Sequence, residues 1–252
     1  MNSYMSLINN RPLDDFLGLS PNEMHHLLFF PFTDKSPLKL KQNIADENLN
    51  KIPFFRLTEE FLKIVQREKS IKLTPLGALP RKVLAELYRF GFLKDTFIEK
   101  GYSKINREID IPVIGMMNVN TQLAGLVKKS ANKLSLTKTA EKHLEKQQRN
   151  ELFEKVFKTF TIKINWGILD GYSEYQIVQA GWGFSIFLLN KLSTGQEQSV
   201  LEFSEPFVNA YVKELNGLSY EYGSPLRKFT NCYELRTFEH FFRYFGFITN
   251  RY

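Results

Sequence analysis

The sequence predicts a mainly α-helical chain with a small β component. It divides into an N-terminal helix and linker (residues 1–54), a basic mixed segment (55–148) and an all-α, aromatic-rich C-terminal segment (149–252). Three observations predict this. Apolar residues recur at helical spacing through most of the chain, and only a few short runs alternate as strands do. Charge is uneven: residues 1–54 hold five Lys/Arg and six Asp/Glu, residues 55–150 nineteen and ten, and residues 151–252 ten and eleven. The whole positive excess therefore lies in the middle. Aromatics show the opposite bias, with 23 of the 36 in the last 102 residues.

The totals set outer bounds. A chain of 252 residues can bury one large core or two ordinary ones. Apolar and charged fractions of 43% and 24% are those of a folded protein. The first residues carry no basic region followed by an apolar stretch, as a secretory signal requires. The longest apolar run, Ala180 to Leu189, reads as a buried helix, because a membrane span needs about twenty residues. Cys232 is the only cysteine, so no intrachain disulfide forms, and it reads as a small buried side chain. A cytoplasmic protein without membrane contact is expected.

Taken in order, Ser20, Pro21 and Glu23 form a helix start of cap, first-turn proline and capping-box acid. This helix stops before Pro31. Residues 33–53 read as a linker with one short strand at Leu38-Lys39-Leu40. Thr58 is expected to cap a helix with Glu59 and Glu60 in its first turn and Phe61, Leu62 and Val65 inward. Ile71 to Thr74 alternates as a strand. Pro80 opens a second helix with Val83, Leu84 and Leu87 inward, ending at Gly91. Asp110 is expected to cap a third helix, Ile111 to Ala124, ending at Gly125. Residues 126–130 and 133–137 flank Ala131-Asn132 as a hairpin with a tight turn. Thr137 starts a fourth helix. Beyond it, helices are expected at 151–160, 173–192, 200–215 and 233–245, with Phe238, Phe242 and Phe245 buried against Phe153 and Phe157.

From helix to strand to two helices to hairpin to helix, residues 56–146 have the element order of the winged helix-turn-helix. The segment Leu123-Ala124-Gly125-Leu126-Val127-Lys128-Lys129, followed by Leu134-Ser135-Leu136-Thr137-Lys138, resembles the helix-to-wing passage of bacterial winged-helix proteins. Leu73-Thr74-Pro75-Leu76-Gly77 echoes the same strand ending. Ala140 departs from the pattern, where such proteins often carry glycine, and so does the long connection between the second and third helices. The end segments Arg11 to Pro21 and Leu235 to Phe242 resemble those of a bacterial protein family to which no activity attaches.

The resemblance implies a winged-helix protein that binds double-stranded DNA, such as a transcriptional regulator. The alternative is a winged helix used for protein contacts without nucleic acid. A winged helix sets its third helix in the major groove while basic residues hold phosphates. With Val113, Met116, Met117, Leu123 and Ala124 inward, the opposite face of that helix carries Gly115, Asn118, Val119 and Gln122. Asn118 and Gln122 are the candidate base readers. Arg81, Lys82, Lys104, Arg107, Lys128, Lys129 and Lys133 are the candidate phosphate contacts. No cofactor is expected.

Catalytic motifs are missing from the sequence. There is no phosphate-binding loop, no dinucleotide glycine motif, no paired Cys-x-x-Cys and no nucleophile elbow. His25 and His26 are adjacent on a helix and point about 100° apart, so a shared metal ion is not expected. Asp170 reads as one residue of an Asp-Gly turn rather than a catalytic acid. The C-terminal phenylalanines read as core. The surplus aromatics, including Trp182, Tyr220 and Tyr222, are candidates for a ligand pocket or for a surface that meets a protein partner or a second copy.

Overall fold

The computed structural model describes residues 2–172, 174–216 and 225–249. Helices α1 (Asn2–Asn9), α2 (Pro21–Phe29), α3 (Asp46–Leu49) and α4 (Pro53–Glu68) come first. Strand β1 (Ile71–Lys72) leads to α5 (Arg81–Arg89), α6 (Thr96–Glu99) and α7 (Pro112–Leu123). Strands β2 (Val127–Ser130) and β3 (Lys133–Leu136) precede α8 (Lys138–Glu145) and α9 (Arg149–Ile162). Five helices follow among the described residues: α10 (Gln176–Ala180), α11 (Trp182–Leu192), α12 (Leu201–Ala210), α13 (Val212–Asn216) and α14 (Pro225–Tyr233). A π-wound segment, Glu234–Phe242, continues α14 directly. The protein is mainly α-helical with one three-stranded antiparallel sheet.

Local chemistry sets many of the ends. Ser20 and Glu23 form a reciprocal capping box on α2, with Pro21 in its first turn. Thr137 caps α8 by accepting from the Ala140 amide. Gly125 and Gly246 lie at φ +68° and +71°, the left-handed conformation that ends a helix. After Gly246 the Phe247 amide donates to Phe242 O, and the two rings meet at 5.7 Å, completing the hydrophobic side of that cap.

Elsewhere the boundaries differ from the sequence reading. Helix α4 begins five residues before Thr58, because Pro53 supplies the first-turn signal and Phe54 and Phe55 are core residues. Thr58 is interior, and its hydroxyl donates back to Phe54 O at 2.9 Å. Asp110 does not cap α7; its carboxylate accepts from the Asn106 and Arg107 amides within the preceding turn. Residues 38–40 form no strand, since they have no ladder to join. The helices expected at 173–192 and 200–215 are each broken, at Gly181 and Tyr211. The last begins at Pro225 rather than near residue 233.

By contacts the chain forms two compact units. One comprises Gln42–Ile164 and Phe242–Tyr252; the other comprises Met1–Lys41 and Asn165–Phe241. Contacts therefore group the chain differently from its composition.

The first unit is built on α4, which buries Phe54, Phe55, Phe61, Leu62 and Val65. Phe54 meets Phe160 at 5.2 Å and Phe245 at 5.5 Å, and Phe245 meets Phe157 at 5.1 Å. Arg149 clamps α4 by donating to both Glu59 oxygens, at 2.7 and 2.9 Å, and reaches Asp46 at 2.8 Å. The sheet has the order β1-β3-β2. Its hairpin turn places Ala131 at φ +47° and Asn132 at +57°, the two left-handed residues of a type I′ connection.

The second unit packs α11 against α2 and α12. Phe184, Phe207, Tyr211 and Tyr233 form its aromatic core, and the Tyr233 hydroxyl donates to Ser185 Oγ at 3.1 Å. Phe238 belongs here, against Phe203 and Tyr233. Trp182 is buried between Phe32 and Phe241. Tyr220 and Tyr222 lie outside the described residues. Arg236, on the π-wound segment, is fully buried. It donates to both Asp170 oxygens and to the Tyr172 and Tyr175 carbonyls. Gly167 has to be glycine, because a Cβ there would lie 2.5 Å from the Arg236 guanidinium. Cys232 is buried, and desolvation pushes its thiol up to about 12, so it is unreactive. No helix among the described residues is long and apolar enough to cross a membrane.

Candidate nucleic-acid interface

The register of the sheet sorts the basic residues by face. Lys72 stands opposite Lys133, which in turn faces Ser130, and Lys128 faces Ser135. Side chains alternate along a strand, and directly paired residues share a face. Lys72, Lys128 and Lys133 therefore lie together on the outer face. Ile71 and Leu134 form the inner one, buried against α4.

Lys129 pairs with Leu134 and so points to the other side. It reaches back over the turn after β1, where a Cβ on Gly77 would lie 2.5 Å from its Nζ. The three hairpin lysines are all exposed, but they do not act from one face.

Around α5 the structure joins two further groups of candidates. The Arg81 Nε donates to Ile105 O at 3.0 Å, which brings Arg81 beside the segment holding Lys104 and Arg107. Lys104 is exposed, whereas Arg107 is engaged with Asp110 at 3.2 Å. The Arg107 amide and guanidinium together hold the Asp110 carboxyl below its ordinary range. Lys82 lines a groove of about 440 Å³ whose other walls include Ile64, Leu73 and Lys72. That groove links the start of α5 to the outer-face lysines.

What distinguishes Lys72, Lys128, Lys129 and Lys133 is that no ion pair holds them, whereas Lys82 shares its groove with Glu68 and feels the Glu86 carboxylate there. Among residues 55–150, Glu59, Glu60, Glu68, Glu86, Glu99 and Asp110 are all held in ion pairs with Arg56, Lys63, Arg67, Lys94, Arg107 or Arg149. Asp95 caps α6, and Glu108 accepts from the Leu79 amide at 2.6 Å. Among the described residues no ion pair reaches Lys72, Lys82, Lys128, Lys129 or Lys133.

The expected base readers are placed differently. Asn118 is only 4% exposed. Its Nδ2 donates to Glu108 Oε1 at 2.9 Å, and its Oδ1 accepts from Gln122 Nε2 at 3.0 Å. The short 3₁₀ turn Glu108–Asp110 packs on α7 and covers the side that helical spacing leaves open. Gln122 is half-buried and spends both its bonds on Asn118. The exposed residues of α7 are Pro112, Val119 and Leu123; Leu123 is 44% exposed where spacing puts it in the core.

Lys72 is the residue that sequence reasoning missed. The alternation Ile71-Lys72-Leu73 already points it outward, but its place beside Lys133 needs the register. Among the described residues no group of three His, Cys, Asp or Glu side chains could hold a metal ion. Comparison with family models, with curated proteins and with solved structures found no match to this chain.

Proposed function

We propose that the chain is a winged-helix protein that binds double-stranded DNA through phosphate contacts, in the manner of a transcriptional regulator. The observation that carries this reading is the outer-face row of Lys72, Lys133 and Lys128, clustered and reached by no ion pair among the described residues. Two directly opposed lysines repel each other across a strand pair, and a phosphate oxygen between them removes that repulsion. The element order of residues 56–146, with a hairpin directly after α7, agrees with the resemblance read from the sequence. Because Asn118 is committed to Glu108 and Gln122, recognition by this surface is led by the backbone and reads sequence weakly.

The test is duplex retardation by the full chain over a salt series. Binding is expected at micromolar protein or below at low salt, falling steeply by about 0.2 M. Joint replacement of Lys128, Lys129 and Lys133 by alanine should weaken all sequences about equally. A second reading, a winged helix used for protein contact, is favoured by one observation: α7 exposes Val119 and Leu123 rather than charges. Absence of retardation at low salt transfers the conclusion to it.

A further inference from the structure

The turn after β1 carries a leucine that the fold leaves outside. Leu76 is 95% exposed, and Pro75 beside it is exposed too. A lone surface leucine is ordinary, but this one is held out on a rigid mount. The Thr74 amide donates to Ala78 O at 2.9 Å, the Gly77 amide to Thr74 O at 2.8 Å, and the Ala78 amide to Thr74 Oγ1 at 3.1 Å. Gly77 lies at φ +78°, which closes the turn without strain. The turn is also tied to the hairpin tip. The Leu73 amide donates to Asn132 O at 2.9 Å, and the Asn132 side-chain amide donates to the Leu73 and Thr74 carbonyls, each at 3.2 Å.

The surroundings of this mount are cationic. Lys129 lies over Gly77, and Lys72 and Lys133 face each other one residue back from Leu73 and Asn132. An exposed apolar side chain on a turn with Lys129 over one side, and with Lys72 and Lys133 on the other face of the adjoining strands, matches what a duplex offers at its minor groove: phosphates along two rims and an apolar base stack within. Proteins that insert a leucine or proline there unstack neighbouring base pairs and kink the duplex by roughly 20–90°.

We infer that Leu76 is a wedge, and that Pro75-Leu76 enters the minor groove of a duplex whose phosphates are held by Lys72, Lys129 and Lys133. This rests on the reading of the lysine surface as a phosphate-binding one. The rigid turn matters because a preset side chain loses little freedom on insertion. The wedge supplies shape selectivity without base hydrogen bonds: flexible pyrimidine–purine steps open most readily and become the preferred sites.

The experiment uses the full chain, a short duplex labelled at both ends for energy transfer, and a 2-aminopurine at a central TA step. With wild type, binding should shorten the end-to-end distance and raise the 2-aminopurine emission. Leu76→Ala should keep the melting temperature and the steep salt dependence, which come from elsewhere, and lose both the bend and the emission change. Leu76→Met should restore them. If wild type binds the duplex without bending or unstacking it, or if Leu76→Ala bends it equally, the wedge is wrong while the phosphate surface stands. If wild type binds no duplex, both readings fail. Binding to vesicles rich in anionic lipid that Leu76→Ala abolishes, with no bend in any duplex, overturns the wedge in favour of a membrane anchor.

Discussion

Lys72 stands directly opposite Lys133 across the β1–β3 pair. Like charges so placed destabilise a sheet by about 0.2–1 kcal/mol, and no ion pair among the described residues reaches either lysine. Lys72→Glu converts the repulsion into a cross-strand ion pair. The expected outcome is a melting temperature that rises by a few degrees, measured by calorimetry, together with a loss of duplex affinity. A rise in stability with unchanged affinity would show that the outer face does not meet phosphate.

Asn118 gives the opposite kind of variant. Its amide links Glu108 to Gln122 on the flank of α7, with Asn118 itself buried and the two partners half-buried. Asn118→Ala leaves one Glu108 oxygen without its donor and should cost about 1–3 kcal/mol of stability in denaturant titrations. Any loss of DNA affinity should be equal for all sequences. A base-specific loss would restore Asn118 as a reader.

The Arg236–Asp170 pair should behave as a buried couple. Burial opposes ionisation of Asp170, yet the Arg236 hydrogen bonds and the Tyr172 amide outweigh it and hold the carboxyl below its ordinary range. Removing one partner strands the other charge, so Asp170→Asn or Arg236→Met alone should cost about 3–5 kcal/mol. Changing both together should cost much less than the sum of the two, read as a double-mutant cycle. Additive losses would show that the two residues do not depend on each other.

His143 supplies the pH dependence. Desolvation, followed by the Lys155 charge, lowers its pKa below the ordinary 6.5. The unfolded chain then takes up the proton first as the medium acidifies. Its contribution to stability is complete above 6.5 and is lost as pH falls from there through the lowered folded value. His143→Gln should flatten the decline in melting temperature over that window. A decline as steep as in wild type would assign the effect to other groups.

Local signals were legible in the sequence, and long-range ones were not. Ser20, Thr137, Gly125 and Gly246 act through neighbours three to five residues away, so their roles can be read off directly. Thr58 misled because two start signals lie five residues apart, and burial of Phe54 and Phe55 decides between them. Asn118 misled for a different reason. Helical spacing describes one helix alone, whereas the turn covering that face comes from Glu108, ten residues earlier and outside the helix. Asp170 does form the expected local turn, with its carboxylate accepting from the Tyr172 amide. Its partner Arg236 is 66 residues away and leaves no trace in local pattern.

The division of the chain also sets a timetable for its synthesis. Helix α2 packs on α11, and Leu17 O accepts from Lys191 across 174 residues. At roughly 5–20 residues per second, Met24 and Leu27 emerge from a ribosome roughly 8–30 seconds before α11 exists to cover them. The sheet unit waits as well, because Phe54, Phe157 and Phe160 are closed by Phe245. Early apolar surface is thus exposed, and open to chaperones, in that interval. Both units reach completion together, when the helix that starts at Pro225 and carries Phe241 and Phe245 has emerged.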